Sequence, residues 1–293
     1  MQPKYGFIGL GIMGAPMASN LARAASVLAF DTQQSRFEAA AGTERAASIK
    51  AVAEACGVVF LSLPSSEIVR SVVIGPDGLV HALQSGATVI DTSTTDPKIS
   101  REIAAELEQK GIGFLDAPVS GGEKGAKEAT LSFMVGGRKE VFDAHQEAMR
   151  AMGSGVTYVG PVGSGGVAKL VNNMIVGAAF SSIAEGFALA IKNGLEPLTL
   201  YEAIRGGWAG SKVLDVCGPQ IANRDFTPGG TVEILAKDLG YARNLARECQ
   251  IPIPVTAVVD EMFTAAKAAG HTKLSQSVLV TLWDSVLGED GNR

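Results

Sequence analysis

Along the first half of the chain, short apolar runs alternate with longer stretches whose apolar positions recur at helical spacing. Residues 4–8 form an apolar run closed by Gly9, the pattern of a strand buried on both faces, and residues 13–25 then read as a helix. The alternation recurs, with short strands expected at 27–30, 58–63, 88–90 and 113–115 and helical stretches between most of them. Strands spaced by helices pair in parallel through right-handed crossovers, so the expected class is α/β with a doubly wound sheet. Runs at 131–135 and 156–159 would add strands at its far edge.

After the glycine cluster at 160–166 the strand signals stop, and 167–287 reads as helix punctuated by Gly and Pro. The expected organisation is a sheet domain over 1–162 and an all-helical domain for substrate and oligomerisation over 163–293, joined by a long helix over about 167–193. At 1.5 Å per residue that helix is roughly 40 Å long. It is apolar nearly all round, which demands cover from neighbouring helices or a second subunit, so a homodimer or homotetramer is expected. The run 174–191 has the length of a short membrane span but carries Glu185 and several Ser and Gly residues, and it reads as a buried helix of a soluble protein.

Composition narrows the class further. The formal net charge of -5 leaves no basic footprint for nucleic acid or an anionic membrane surface, and neither partner is expected. Cys56, Cys217 and Cys249 are scattered and lack CxxC spacing, as free thiols in a reducing cytoplasm would be. The opening MQPKYGFIGLGIMG is too short in its apolar stretch and too rich in glycine for a secretory signal, which also points to the cytoplasm. His81, His145 and His271 stand away from every glycine loop and read as surface residues. No His, Asp and Glu grouping has metal-ligand spacing, so metal-independent chemistry is expected.

Gly9-Leu10-Gly11-Ile12-Met13-Gly14 is a GxGxxG placed between the first strand and the first helix. The first glycine permits a tight turn, the second lets a pyrophosphate approach the backbone, and the third lets helix and strand pack closely. Asp31 follows at the end of the second strand, 20 residues after Gly11, where a carboxylate meets the adenine ribose hydroxyls. The sheet is therefore expected to be of Rossmann type, binding NAD, with NADP less favoured because a 2'-phosphate would meet the charge of Asp31. Arg36 is a weaker candidate ligand for such a phosphate.

The segment from Phe7 to Leu21 resembles the signature of the 3-hydroxyacid (β-hydroxyacid) dehydrogenases, and three more motifs follow in that family's order. Asp116-Ala117-Pro118-Val119-Ser120-Gly121-Gly122 is similar to the substrate loop, in which Ser120 and the N–H groups of Gly121 and Gly122 would hold the substrate carboxylate. Gly160-x-x-Gly163-x-Gly165-x-x-x-Lys169-x-x-x-Asn173 resembles the catalytic segment, which implies Lys169 as acid/base with Asn173 beside it. Positions i and i+4 share a helical face, so both side chains can reach one substrate oxygen. Lys237-Asp238-Leu239 resembles the KDL motif, which assigns Lys237 to substrate and cofactor and Asp238 to the cofactor. Leu63, Pro64 and Thr94 match positions that line the cofactor in relatives.

The resemblance implies hydride transfer between nicotinamide and a small hydroxycarboxylate or semialdehyde. Arg205-Gly206-Gly207-Trp208-Ala209-Gly210-Ser211 is closest to the corresponding segment of tartronate semialdehyde (2-hydroxy-3-oxopropionate) reductases. Trp208 stands where those relatives carry a smaller apolar residue, and Gly230 where many carry a pocket phenylalanine, so a four-carbon, threonate-type dehydrogenase competes, with a 3-hydroxyisobutyrate dehydrogenase as the other alternative. A non-catalytic dinucleotide-binding protein is the reading from another class, and the retained Lys169 argues against it, as it does against an imine reductase. No added basic cluster suits a 6-phosphogluconate enzyme.

Overall fold

The computed structural model describes residues 4–287. It divides into two compact units, Met1–Lys169 and Leu170–Arg293.

The described residues of the first unit form nine strands: β1 (Lys4–Ile8), β2 (Ser26–Phe30), β3 (Glu44–Arg45), β4 (Val58–Leu61), β5 (Thr88–Asp91), β6 (Gly113–Asp116), β7 (Val119–Ser120), β8 (Ser132–Gly137) and β9 (Gly155–Gly160). They form one sheet in the order β3-β2-β1-β4-β5-β6-β8-β7, with β9 on β8. Pairing is parallel from β3 through β6. Alternate residues face opposite ways: Phe7, Phe60, Ile90 and Leu115 enter one core, and Ile8, Val59, Leu61, Val89 and Phe114 the other. Burial on both faces is why these strands read as continuous apolar runs. Covering them are α1 (Gly14–Ala22), α2 (Ile49–Ala55), α3 (Ser66–Ile74), α4 (Pro97–Glu108), α5 (Gly122–Lys127) and α6 (Lys139–Arg150).

The two far-edge runs are strands, but β8 is antiparallel to β6 and β7. The cause is α5, whose six residues span only ~9 Å, too little to carry the chain back to the other end of the sheet. The chain therefore re-enters from the edge it has just left, and α6 then returns it so that β9 runs parallel to β8.

Helix α7 (Ser164–Lys192) has 29 residues, and α8 (Pro197–Ile204), α9 (Lys212–Asn223), α10 (Val232–Glu248), α11 (Pro254–Ala268) and the short α12 (Asp284–Leu287) complete the second unit. Its core contains Phe180, Phe187, Leu214, Leu239, Phe263 and Leu279. By length and composition α7 would suffice to cross a membrane, with one third of its most apolar window buried. Phe180, Ala184 and Phe187 turn inward while Val171, Ile175 and Leu189 are exposed.

Candidate active site

The first glycine loop has the geometry its spacing predicts. Gly9 adopts φ +95°, and a Cβ there would lie 2.2 Å from the Ser62 carbonyl oxygen. A Cβ on Gly14 would lie 1.9 Å from the Gly9 carbonyl oxygen, so only glycine lets α1 start against β1. Gly11 differs, because a Cβ there would meet nothing nearer than the Arg36 guanidinium at 3.9 Å. Its face is open, and α1 has no side-chain N-cap, with Met13 at the cap position. Leu10 is buried and Ile12 is 67% exposed, so the loop presents backbone outward and fits a pyrophosphate.

Asp31 stands just beyond β2 and is nearly enclosed. Oδ2 accepts the Leu10 N–H at 2.7 Å and lies 3.3 Å from Arg36 Nη1, while Oδ1 accepts the Gln33 N–H at 2.8 Å. The carboxylate thus fastens the glycine loop to the β2 end, and Arg36 lies directly against it. Leu63 is tied to the loop after β5 by its N–H on Ser93 Oγ at 2.8 Å; Thr94 next to it is half-buried, and Pro64 is exposed.

Ser120 ends β7 half-buried, and Gly121 and Gly122 follow with φ +139° and +64°. Both glycines are exposed, with nothing within 4 Å of a Cβ position on Gly122 and Leu131 Cδ2 at 3.0 Å from one on Gly121. The second glycine loop, ahead of α7, encloses one of the protein's own carboxylates. Asp116 Oδ1 accepts the Gly163 N–H at 2.8 Å, and Oδ2 accepts the Gly166 N–H at 2.9 Å. Burial pushes the Asp116 carboxyl up to about 6, against the lowering effect of these two bonds and with a further push from Asp91. Asp91, its register partner on β5, accepts the Ser93 N–H at 3.0 Å and the Thr95 hydroxyl at 2.6 Å.

Lys169 is half-buried in the second turn of α7, and Asn173 follows four residues on. Within the helical unit Asn173 meets the KDL segment. Its Nδ2 donates to Asp238 Oδ2 at 2.6 Å, and Lys237 Nζ pairs with Asp238 Oδ1 at 3.0 Å while lying 4.9 Å from the Tyr241 ring centre. Asp238 is 1% exposed, so in this unit it serves Asn173 and Lys237. Trp208 is fully exposed on its glycine-rich turn, and a Cβ on Gly230 would come 3.0 Å from Gln276 Nε2.

Sequence reasoning missed Asp91 and Asp116 as organisers of this end of the sheet. The available signal was that two successive apolar strands each close on an aspartate. His145, expected at the surface, is half-buried with Nε2 3.0 Å from Thr88 Oγ1, and burial lowers its pKa. Thr88 begins β5, so this histidine lies at the opposite end of the strand from the glycine loops. Among the described residues no group of three or more His, Cys, Asp or Glu could hold a metal ion.

Residues 4–160 match the NAD binding domain of 6-phosphogluconate dehydrogenase, and 163–283 match the NAD-binding domain of NADP-dependent 3-hydroxyisobutyrate dehydrogenase. The chain is 36% identical to 2-(hydroxymethyl)glutarate dehydrogenase of Eubacterium barkeri, over 97% of this chain and 96% of that one. It is 37% identical to 2-hydroxy-3-oxopropionate reductase of Escherichia coli, over 94% and 96% respectively. Among solved structures, 3-hydroxyisobutyrate dehydrogenase of Mycobacterium tuberculosis with L-serine superposes at a TM-score of 0.87 with 33% identity, covering 96% of this chain and 99% of that one. Matched along almost its whole length, the chain belongs to the 3-hydroxyacid dehydrogenase family, oxidoreductases that act on CH–OH groups with NAD(P).

Proposed function

We propose that this dehydrogenase is a tartronate semialdehyde reductase that forms D-glycerate, using NAD in preference to NADP and Lys169 as its acid/base. The observation that carries the catalytic reading is the placement of Lys169 on α7, just past a glycine loop anchored to the sheet. Asn173 follows one turn later, its amide fixed by the buried carboxylate of Asp238. When bound, the reduced nicotinamide supplies the hydride. Ser120 and the N–H groups of Gly121 and Gly122 hold the substrate carboxylate. The Lys169 ammonium donates a proton to the substrate oxygen as negative charge grows there, and accepts it back in the oxidative direction. The Asn173 amide is held in one orientation, its Nδ2 donating to Asp238 and its Oδ1 accepting from Asn172 Nδ2. The preference for NAD rests on the Asp31 carboxylate at the end of β2, and Lys237 adds a second cation in the motif that brings it to the ligand in relatives.

The reductase reading rests on the segment 205–211 and on the similarity to the Escherichia coli reductase. A 3-hydroxyisobutyrate or four-carbon hydroxyacid dehydrogenase is the second reading, the four-carbon substrate being favoured by Gly230, which stands where many relatives carry phenylalanine. We further infer that the protein works in the cytoplasm as a homo-oligomer.

The test is absorbance at 340 nm with NADH and NADPH separately, against tartronate, succinic and methylmalonate semialdehydes, with glycerate, threonate and 3-hydroxyisobutyrate in reverse. The fastest turnover is expected with NADH and tartronate semialdehyde, and a higher kcat/KM on another substrate moves the assignment there. Lys169→Ala should lower kcat by about 10²–10⁴-fold with NADH binding retained. Wild-type-like turnover in that variant removes Lys169 from its role.

A further inference from the structure

We propose that Asp116 is a positioning residue for this reaction: its carboxylate clamps the first turn of α7 to the C-terminal edge of the sheet and so aims Lys169. The proposal rests on the reading of Lys169 as the acid/base.

A helix begins with backbone N–H groups that have no partner in the helix itself. At the start of α7 two such donors, those of Gly163 and Gly166, are taken by the two oxygens of Asp116, one each. The carboxylate comes from the last residue of β6, so the start of the helix is fastened to the sheet. Glycines make the approach possible. A Cβ on Gly165 would lie 2.2 Å from the Asp116 carbonyl oxygen and 2.4 Å from that of Met134. A Cβ on Gly136 of β8 would lie 2.5 Å from Asp116 Oδ1. The glycine spacing ahead of Lys169, which elsewhere in this chain marks a phosphate loop, is accounted for here by an internal anion.

Lys169 lies three residues beyond Gly166, a little under one turn, on the same helical face. Cα–Cβ bonds in a helix tilt toward its N-terminus, so the position of the first turn sets where the lysine side chain departs. A shift of about 1 Å in a reacting group can cost about a hundredfold in rate. Asp91 does the equivalent for the neighbouring loop, holding Ser93 and Thr95 on either side of Thr94. The two carboxylates are in register on adjacent strands and 1% and 2% exposed, so one brace orders both segments.

The charged groups around the clamp are Asp91 on β5 and Arg101 of α4, whose guanidinium lies against Gly163. From β8 and α7 the groups packed on the carboxylate are glycine backbone.

Asp116→Asn keeps the shape and leaves one acceptor oxygen in place of two. Assayed with NADH and the best substrate, it is expected to lower kcat about ten- to a hundredfold, while KM and the NADH dissociation constant stay within about threefold. The melting temperature at neutral pH should be unchanged or higher, because a buried charge has been removed. A lower melting temperature with kcat per folded molecule retained would show a purely structural residue and overturn the proposal. Amide hydrogen exchange of the wild-type chain over 161–168 gives a readout that needs no variant. After correction for intrinsic rates, the Gly163 and Gly166 amides should be protected at about pH 7.5 as strongly as those of the next turn of α7. Exchange of these two amides near the intrinsic rate overturns the clamp, and this measurement decides if the variant does not fold. Lys169→Ala assayed alongside separates the two claims: normal turnover there removes the role of Lys169, while exchange still reports on Asp116.

Discussion

Asp31 closes β2 with a carboxylate that already accepts two backbone N–H groups and has a guanidinium against it. Cofactor choice then turns on what Arg36 does when the acid is gone. Asp31→Ala removes the charge that repels a 2'-phosphate and releases Arg36, whose guanidinium is 3.9 Å from the open face of Gly11. A charge-assisted hydrogen bond contributes about 1.5–3 kcal/mol, so the ratio of kcat/KM for NAD over NADP should fall about ten- to a hundredfold. Steady-state kinetics with both cofactors measure it, and an unchanged ratio removes Asp31 from the ribose. Asp116 gives a prediction with an unusual sign. Its folded pKa of about 6 is above the ordinary 3.8, so the folded state binds this proton more tightly than the unfolded chain does. Its contribution to stability is therefore full below about pH 3.8 and is lost as pH rises through about 6, a swing of ~3 kcal/mol. Urea unfolding at about pH 4 and pH 7 should show wild type losing stability relative to Asp116→Asn over that window. A difference that does not change with pH, or that grows in favour of wild type, contradicts the burial cost.

At the scale of elements, the contact between β1 and α1 is set by one absent methyl group. Gly14→Ala would place a carbon 1.9 Å from the Gly9 carbonyl oxygen, so α1 must move away from the strand. The expected cost is about 1–3 kcal/mol, together with weaker NADH binding because the loop between the two is displaced. Gly240, inside α10 with nothing near its Cβ position, is the contrast: Gly240→Ala should stabilise by about 0.5–1 kcal/mol. Denaturant midpoints of the two variants test both, and a stable Gly14→Ala with normal NADH binding would contradict the packing argument. The same contrast shows what can be read from sequence. β1, β2, β4, β5 and β6 were legible because burial on two faces demands apolar runs, and the first glycine loop because its backbone admits little else. β3 and β7 were not, since each has two residues and neither carries a periodic signal. The direction of β8 depends on how short α5 is, and the anchor of the second loop on a carboxylate 47 residues away in sequence. Neither leaves a local spacing to read.

For the whole molecule, the balance of covered and uncovered apolar surface argues for self-association. In the helical unit Val171, Ile175 and Leu189 of α7 are exposed together with Val216 of α9, Ile234 of α10, and Ile251, Val255 and Val258 at and just before the start of α11. Scattered exposed side chains are ordinary, but a 29-residue helix that is apolar nearly all round and only one third buried over its most apolar window is not. Two environments would cover it, a lipid bilayer or protein. The spacing Val171, Ile175 at i and i+4 marks one face, while the opposite face is committed to the core through Phe180, Ala184 and Phe187. A helix with one side packed in a folded core and a row of apolar residues on the other suits a partner helix. Light scattering on the purified chain without detergent should therefore give a dimer or tetramer at micromolar concentration. Ile175→Asp combined with Leu189→Asp should shift it toward monomer while the far-UV dichroism of the folded chain persists. A wild-type chain that remains monomeric without detergent, or that sediments with membranes, would refute self-association as the cover for this face.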